Sequence, residues 1–469
     1  AIGDSLAADA DLQLYACAVG DGESGRAFVA TLAAALRAPV AASSTPVGHA
    51  DLGGAWRLDI GEVRTSPLAA PHWRGLLGMT IAQQPLAFPR HSLGEWRNEK
   101  AFAALRADGS VVTWGDAAHG GDSSAVTEQL AGAIDVTQIF SNRQAFAALR
   151  ADGSLITWGA PSAGGDSSVV AAQINGTIDV VRVFSTGMAF AALRADGSLV
   201  TWGLASHGGD SSAVAAQLNG SIDIVAVSST QGAFAARRAD GSVVTWGHAP
   251  YGGDISAVAA HLDGSIDITQ IFATSEAFAA LRADGSVVTW GSATYGGDSS
   301  AVATRLDGTI AVTQIFASGG AFAALRADGS LVVWGAASYG GDGPADPVQV
   351  DGTLDVVQVF STGSAFAALR ADGSLLTWGD AASGGNSGAV APQLDGTIDV
   401  TQVFATNGAF AALRADGALV TWGSATAGGD SSSVAAELDG TIDIRRVLST
   451  DGAFAALRAD GSVVTWGSA

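Results

Sequence analysis

A single cysteine, Cys17, and a single lysine, Lys100, occur in 469 residues. One cysteine excludes an intrachain disulfide, so this is not a small fold stapled by cystines. Charged residues are only 14% of the chain, and 45 acidic side chains outnumber 23 basic ones for a net charge of −22. Binding to nucleic-acid phosphates requires clustered Lys and Arg. Nine of the arginines fall at one repeated position, so no free basic patch is expected and nucleic acid is not an expected partner. No stretch of about 18 apolar residues is present to span a membrane. Phe28–Ala42, the nearest approach, is broken by Arg37. There is no P-loop and no GxSxG. The seven histidines have no metal-like spacing. No signal peptide is seen, but the chain starts at Ala1 without methionine and ends two residues after a Trp-Gly pair, so it is expected to be a piece of a longer polypeptide.

Glycine (62 residues) and apolar residues (48%) are abundant, and both are periodic. The phrase AFAALRADGSVVTWG recurs every 44 residues without insertion or deletion. Its tryptophan falls at Trp114, Trp158, Trp202, Trp246, Trp290, Trp334, Trp378, Trp422 and Trp466. A fixed period of this length signals a propeller, solenoid or array. The repeat region is expected to span 83–469. Its opening is degenerate, with Trp96 where later repeats carry Phe140, Phe184, Phe272 and Phe316.

Within one repeat, Ile134–Phe140 alternates and is rich in β-branched residues, Ala145–Ala151 is a second strand, and Ser154–Trp158 a third. A two-residue Asp152-Gly153 turn of type I′ would join the last two. That turn sets Arg150 opposite Leu155 and Ala147 opposite Trp158. Asp166 is expected to cap a short helix, Ser167–Gln173. Phe, Arg, Asp-Gly and Trp recur in all nine copies. The aromatics are expected to pack neighbouring repeats together. The arginine column, Arg106 to Arg458, is expected to pair with a second acidic column (Asp135, Asp179, Asp223, Asp267, Asp355, Asp399 and Asp443), which Ala311 interrupts.

Residues 1–64 are not repetitive. Leu12–Cys17, an alanine-rich helical stretch Arg26–Arg37, a strand at Pro39–Ser43 and another ending at Ile60 make an α/β order. Residues 65–82, with Pro67 and Pro71, read as a linker.

The phrase VTQIFASGGAFAALRADGSLVVWGAASYGGD resembles an RCC1-type repeat: strand, glycine-containing loop, apolar strand, Asp-Gly turn, strand ending in Trp-Gly, and a glycine-rich corner. That resemblance implies a mainly β fold, an RCC1-like β-propeller of nine 44-residue repeats. Departures from the family (a shorter repeat, a GGDSS corner, nine copies where seven blades are common) leave an open repeat superhelix as the alternative. The N-terminal piece, from LQLYACAVGDGESGRAF through AWRLDIG, resembles the C-terminal half of DUF4347, a bacterial domain heading large secreted or surface proteins and distantly similar to caspase-like and CHAT cysteine peptidases. That resemblance implies that Cys17 stands at their cysteine position, with the histidine-bearing half upstream of Ala1.

Catalytic residues are therefore not expected, with Cys17 the one weak candidate; a buried strand-end cysteine is the simpler account. The GGD corner (Asp122, Asp166, Asp210, Asp254, Asp298, Asp342 and Asp430, with Asn386 in one copy) raises calcium, but the spacing is not that of a calcium-binding nonapeptide, and helix capping is preferred. Neither cofactor nor metal is expected. Variation is confined to two loops, one around Ser141–Gln144 and one just before the glycine pair, where His119, His207, Tyr251, Tyr295 and Tyr339 stand. These five are the candidate binding residues, since recognition concentrates on variable loops over a fixed scaffold. Neutral drift would give the same variation. The chain reads as a non-enzymatic, extracellular or cell-surface bacterial scaffold, adhesin-like, binding a protein or glycan ligand. The alternatives are a self-assembling filament subunit that binds copies of itself, and a processing domain using Cys17.

Overall fold

The computed structural model describes residues 12–14, 40–42, 60–61, 96–98, 100–106, 108–344, 350–353 and 355–468. The chain forms two compact parts, Ala1–Gln84 and Pro85–Ala469. In the first, Leu12–Leu14 pairs in parallel with Val40–Ala42, and that strand pairs antiparallel with Ile60–Gly61. Cys17, the expected helix Arg26–Arg37 and residues 65–82 lie outside the described residues.

The second part is mainly β. Among the described residues it holds eight three-stranded antiparallel sheets, preceded by a two-stranded one at Ala101–Leu105 and Val111–Gly115. The second repeat is representative: strands Val136–Ser141, Ala145–Arg150 and Leu155–Gly159, then short 3-10 turns at Pro161–Ala163 and Ser168–Gln173. The sheets are not closed into a barrel. The expected helix is thus a 3-10 turn. Asp166 lies one residue before its Ser167 cap, accepting the Ser168 N–H at 2.9 Å.

From the second to the eighth repeat the middle strand is buried on both faces. Ala145, Ala147 and Leu149 pack against Phe190, Val200 and Trp202 of the following repeat. Phe146 and Ala148 turn the other way, toward Ala101, Leu130 and Val136. Alternation places successive side chains on opposite faces, and alanine lets neighbouring sheets approach closely. This is why three of the first four residues of AFAALR are alanine.

The hairpin corrects the expected register. Ala151-Asp152-Gly153 is a three-residue loop, closed by the Gly153 N–H to the Arg150 carbonyl at 3.0 Å and the Arg150 N–H to the Ser154 carbonyl at 2.9 Å. Gly153 sits at φ 74°, as this kind of hairpin needs at its last loop position. The extra residue shifts pairing by one, so Leu149 faces Leu155, Ala147 faces Thr157 and Phe146 faces Trp158. The invariant aromatics are therefore cross-strand partners, with rings 5.3 Å apart and nearly parallel.

The expected arginine ladder between repeats is also corrected. Arg194 pairs with Asp196 of its own hairpin at 2.6 Å, Arg238 with Asp240 at 3.5 Å and Arg414 with Asp416 at 3.0 Å. The second acidic column instead lies against the preceding Asp-Gly turn: a Cβ on Gly153 would fall 2.5 Å from Asp179 Oδ1. A short side chain is all that site requires. Where Ala311 fills it, Arg282–Asp284 and Arg326–Asp328 persist at 3.7 and 3.6 Å.

Repeats are joined by one recurring contact. The Trp158 indole N–H donates to the carbonyl of Gly120 in the preceding corner at 3.0 Å, and the bond recurs through Trp466 and Gly428 at 2.9 Å. Gly120 has φ 96°, and a Cβ there would meet the Phe146 ring at 2.7 Å, so both backbone and packing demand glycine. At the first repeat the same pair is uncovered, with Phe102 57% and Trp114 45% exposed. At the ninth, Leu448 and Val463 are 50% and 57% exposed. Arg97 of the first repeat reaches within 3.9 Å of Asp451 in the ninth.

Two substitutions test this contact. Trp290→Ala should lower unfolding free energy by about 3–5 kcal/mol in urea titration. Gly252→Ala should also destabilise, because it combines φ 95° with a Cβ 2.5 Å from the Phe278 ring. Unchanged midpoints for both would contradict the assignment.

Candidate binding edge

At one end of the second to eighth repeats the two variable segments lie side by side, fastened by a fully buried hydroxyl or amide. Thr230 Oγ1 donates to the Tyr251 carbonyl at 2.8 Å and accepts the Ala233 N–H at 3.1 Å. Thr186 holds His207, Thr274 holds Tyr295 and Ser318 holds Tyr339 in the same way. Asn142 does the work at Ala163 through its Nδ2. This column was read only as variable loop. Its recurring Ser, Thr or Asn was the signal for a structural role, since a buried hydroxyl must find partners.

The loops are also joined to one another. Arg143 N–H donates to the Gly187 carbonyl, Gly187 to Gln231, Gln231 to Ser275, Ser275 to Gly319, Gly319 to Gly363, Gly363 to Asn407 and Asn407 to Asp451, all at 2.8–3.3 Å. Successive repeats therefore present equivalent residues as close neighbours.

On this frame His207, Tyr251, Tyr295 and Tyr339 occupy four consecutive corners, each half-buried. Two glycines form the floor. A Cβ at Gly232 would lie 2.9 Å from Tyr251, 3.2 Å from His207 and 3.4 Å from His248. A Cβ at Gly320 would lie 2.8 Å from Tyr339 and 2.9 Å from Tyr295. Tyr295 and Tyr339 rings are 5.7 Å apart. Sequence reading set His248 aside as one of several scattered histidines. It stands three residues before Tyr251, where a 3-10 turn aligns side chains. Its ring is 4.5 Å from Tyr251 and 6.2 Å from His207. His119 does not join the row: Ala163 occupies the corner between, and His119 Nδ1 is 3.2 Å from Asp116 Oδ2.

Burial, then the neighbouring Tyr339 and Glu276, push the Tyr295 phenol up. Burial, then His248 and Arg143, push the His207 imidazole below its ordinary value. A hollow of about 300 Å³ lies elsewhere, lined by Arg106, Asp108, Thr127 and Leu130 of the first repeat and its corner. Among the described residues no group of three or more His, Cys, Asp or Glu gathers as a metal site. The corner aspartates are engaged otherwise. Asp210 and Asp254 accept Ser212 and Ser256 N–H groups at 2.9 and 2.8 Å, which hold both carboxyls below the usual range.

The fold and this edge define a β-repeat protein with a fixed scaffold and a decorated loop face. Residues 1–76 match the family described as Domain of unknown function (DUF4347). No curated protein matches the chain. Among solved structures, Prp20p from Saccharomyces cerevisiae is similar at 14% identity, covering 81% of this chain and 94% of that one, with TM-score 0.35. The ectodomain of the Physcomitrella patens receptor kinase CR4 is similar at 16% identity, covering 60% and 70%, with TM-score 0.33. The computationally designed Ika8 protein is similar at 16% identity, covering 71% and 96%, with TM-score 0.29. The DUF4347 match thus ends before the repeats, which are an array of three-stranded antiparallel β sheets.

His207 gives this edge a pH signature. Its lowered folded pKa means the unfolded chain binds more protons as pH falls through the unfolded histidine value of about 6.5. The contribution is present above that pH and is lost below it. His207→Gln should therefore lose less melting temperature than the parent between pH 7.5 and 5.5. An equal or larger loss would contradict the buried, cation-flanked setting.

Proposed function

We propose that the chain is a non-enzymatic, extracellular or cell-surface scaffold, adhesin-like, that binds a protein or glycan partner through the edge formed by His207, His248, Tyr251, Tyr295 and Tyr339. The observation that carries this reading is the coincidence of four consecutive decorated corners on a frame otherwise nearly invariant. Tyrosine is enriched at recognition surfaces because it brings large contact area at low entropic cost. The acidic balance does not favour nucleic acid, and no described helix is long and apolar enough to cross a membrane. Neither metal nor cofactor is needed for this role. A role for Cys17 in processing remains the enzymatic reading, and it rests on the resemblance alone.

The half-exposed tyrosines can be cut without touching the Trp–Gly joins. Tyr295→Ala with Tyr339→Ala should keep the parent's melting temperature within a few degrees. The variant should lose adhesion to bacterial surface polysaccharide or protein coats that retain the parent. Full adhesion by a folded double variant would contradict the proposal.

A filament is the second reading, favoured by Phe102 and Trp114. Their exposed stack is the same surface that a glycine corner covers in each following repeat. Contact of such unlike faces propagates into a thread wherever the rotation between copies does not close. Sedimentation should then show concentration-dependent growth that Trp114→Ser abolishes; a monomer at all concentrations would contradict this reading.

A further inference from the structure

Most arginines of the invariant column are neutralised within their own hairpins, and Arg143 is not one of them. It lies in the second repeat's loop, where the next repeats carry Gly187, Gln231 and Ser275. Its guanidinium carbon sits 4.8 Å over the Trp96 ring, and Trp96 is 9% exposed. Its chain runs past Gly187, where a Cβ would lie 3.6 Å from Arg143 Cδ. Among the described residues no carboxylate pairs with Arg143, and its Nε is buried without a hydrogen-bond partner. The same Cβ on Gly187 would lie 3.1 Å from the Gln231 carbonyl, one on the adjoining Gly232 would lie 3.2 Å from the His207 ring, and the His248 ring is 6.2 Å from His207. The Nδ1 of His248 is likewise buried and unpartnered. In a protein of net charge −22, an arginine and two histidines stand here with no ion pair to a carboxylate among the described residues. Beyond His248 the edge changes character, to Tyr251, Glu276, Tyr295 and Tyr339.

We propose that Arg143, His207 and His248 form a carboxylate-binding subsite for an acidic glycan, whose adjoining sugar rings lie along Tyr251, Tyr295 and Tyr339. The proposal rests on the loop edge being the binding face. Three observations select this ligand. A planar guanidinium fixed on an aromatic face is built to take a carboxylate in two parallel hydrogen bonds. Half-buried phenols offer ring faces together with hydroxyls, which suits sugars bearing both C–H and O–H groups. A peptide would seek backbone partners by adding a strand, but the loop amides and carbonyls from Arg143 to Asp451 already bond one another. The long-range repulsion from the acidic surface is screened beyond about 8 Å at physiological salt.

Calorimetric titration at 150 mM salt, using the whole chain, tests this with two probes. One is an oligogalacturonate and the other its fully methyl-esterified, neutral form of the same length. Roughly tenfold tighter binding of the charged probe is expected, the equivalent of one charge-assisted contact. Arg143→Gln should erase the difference while leaving the neutral probe's affinity unchanged. His207 should also titrate higher in the complex than in the free chain, read from its imidazole proton shifts. Equal affinity for both probes would overturn the carboxylate subsite while leaving the tyrosine edge standing. Binding of neither probe, or displacement of the charged probe by millimolar inorganic phosphate alone, would overturn the glycan assignment. Tight binding of an acidic peptide with none of either saccharide would overturn it too.

Discussion

The array depends on one hydrogen bond repeated along it: an indole N–H from one repeat to the first corner glycine of the repeat before. The bond is buried, and the Phe ring stacked on the same indole presses on the same glycine. Three invariant residues are thereby explained together. The corner must be glycine because its φ is positive and because an aromatic ring occupies the space of a Cβ. The tryptophan cannot become phenylalanine without leaving a buried carbonyl unpaired. Neighbouring repeats then meet through alanines, and every other element can be short.

That rigid join frees the loop edge for variation. A buried Thr, Ser or Asn ties each loop to its corner, and the loop amides tie one repeat to the next. Side chains at the corner are consequently placed by a frame that does not change when they do. His207, Tyr251, Tyr295 and Tyr339 are the result, with Arg143 stacked on Trp96 in the same ring of loops. The arrangement separates what holds the protein together from what it presents, as expected of a scaffold whose recognition lies in side chains rather than in fold.

Much of this was legible in the residues. The period, the three strands and the aromatic packing follow from spacing alone, and the five candidate residues were found as variation against invariance. Four of those five do line up. His119 does not, because the intervening copy carries Ala163, and linear spacing cannot show that a gap of one corner breaks a row. The hairpin was misread by one residue, since Asp-Gly serves both a two-residue and a three-residue loop. That slip hid the Phe–Trp pairing. The arginine column was assigned to distant acids when a carboxylate two residues away was in reach. His248 and Arg143 were missed because each belongs to a different repeat position. Only the stacking of repeats brings His248 beside His207 and sets Arg143 over Trp96.

Hydrogen–deuterium exchange of the tryptophan indole N–H groups, followed by nitrogen-resolved NMR, tests the central interaction most directly. The indoles of Trp158, Trp202, Trp246, Trp290, Trp334, Trp378, Trp422 and Trp466 should exchange slowly and together, while that of Trp114 exchanges as fast as a free indole. Rapid exchange across the series, or protection of Trp114 equal to the others in a monomeric sample, would contradict the account.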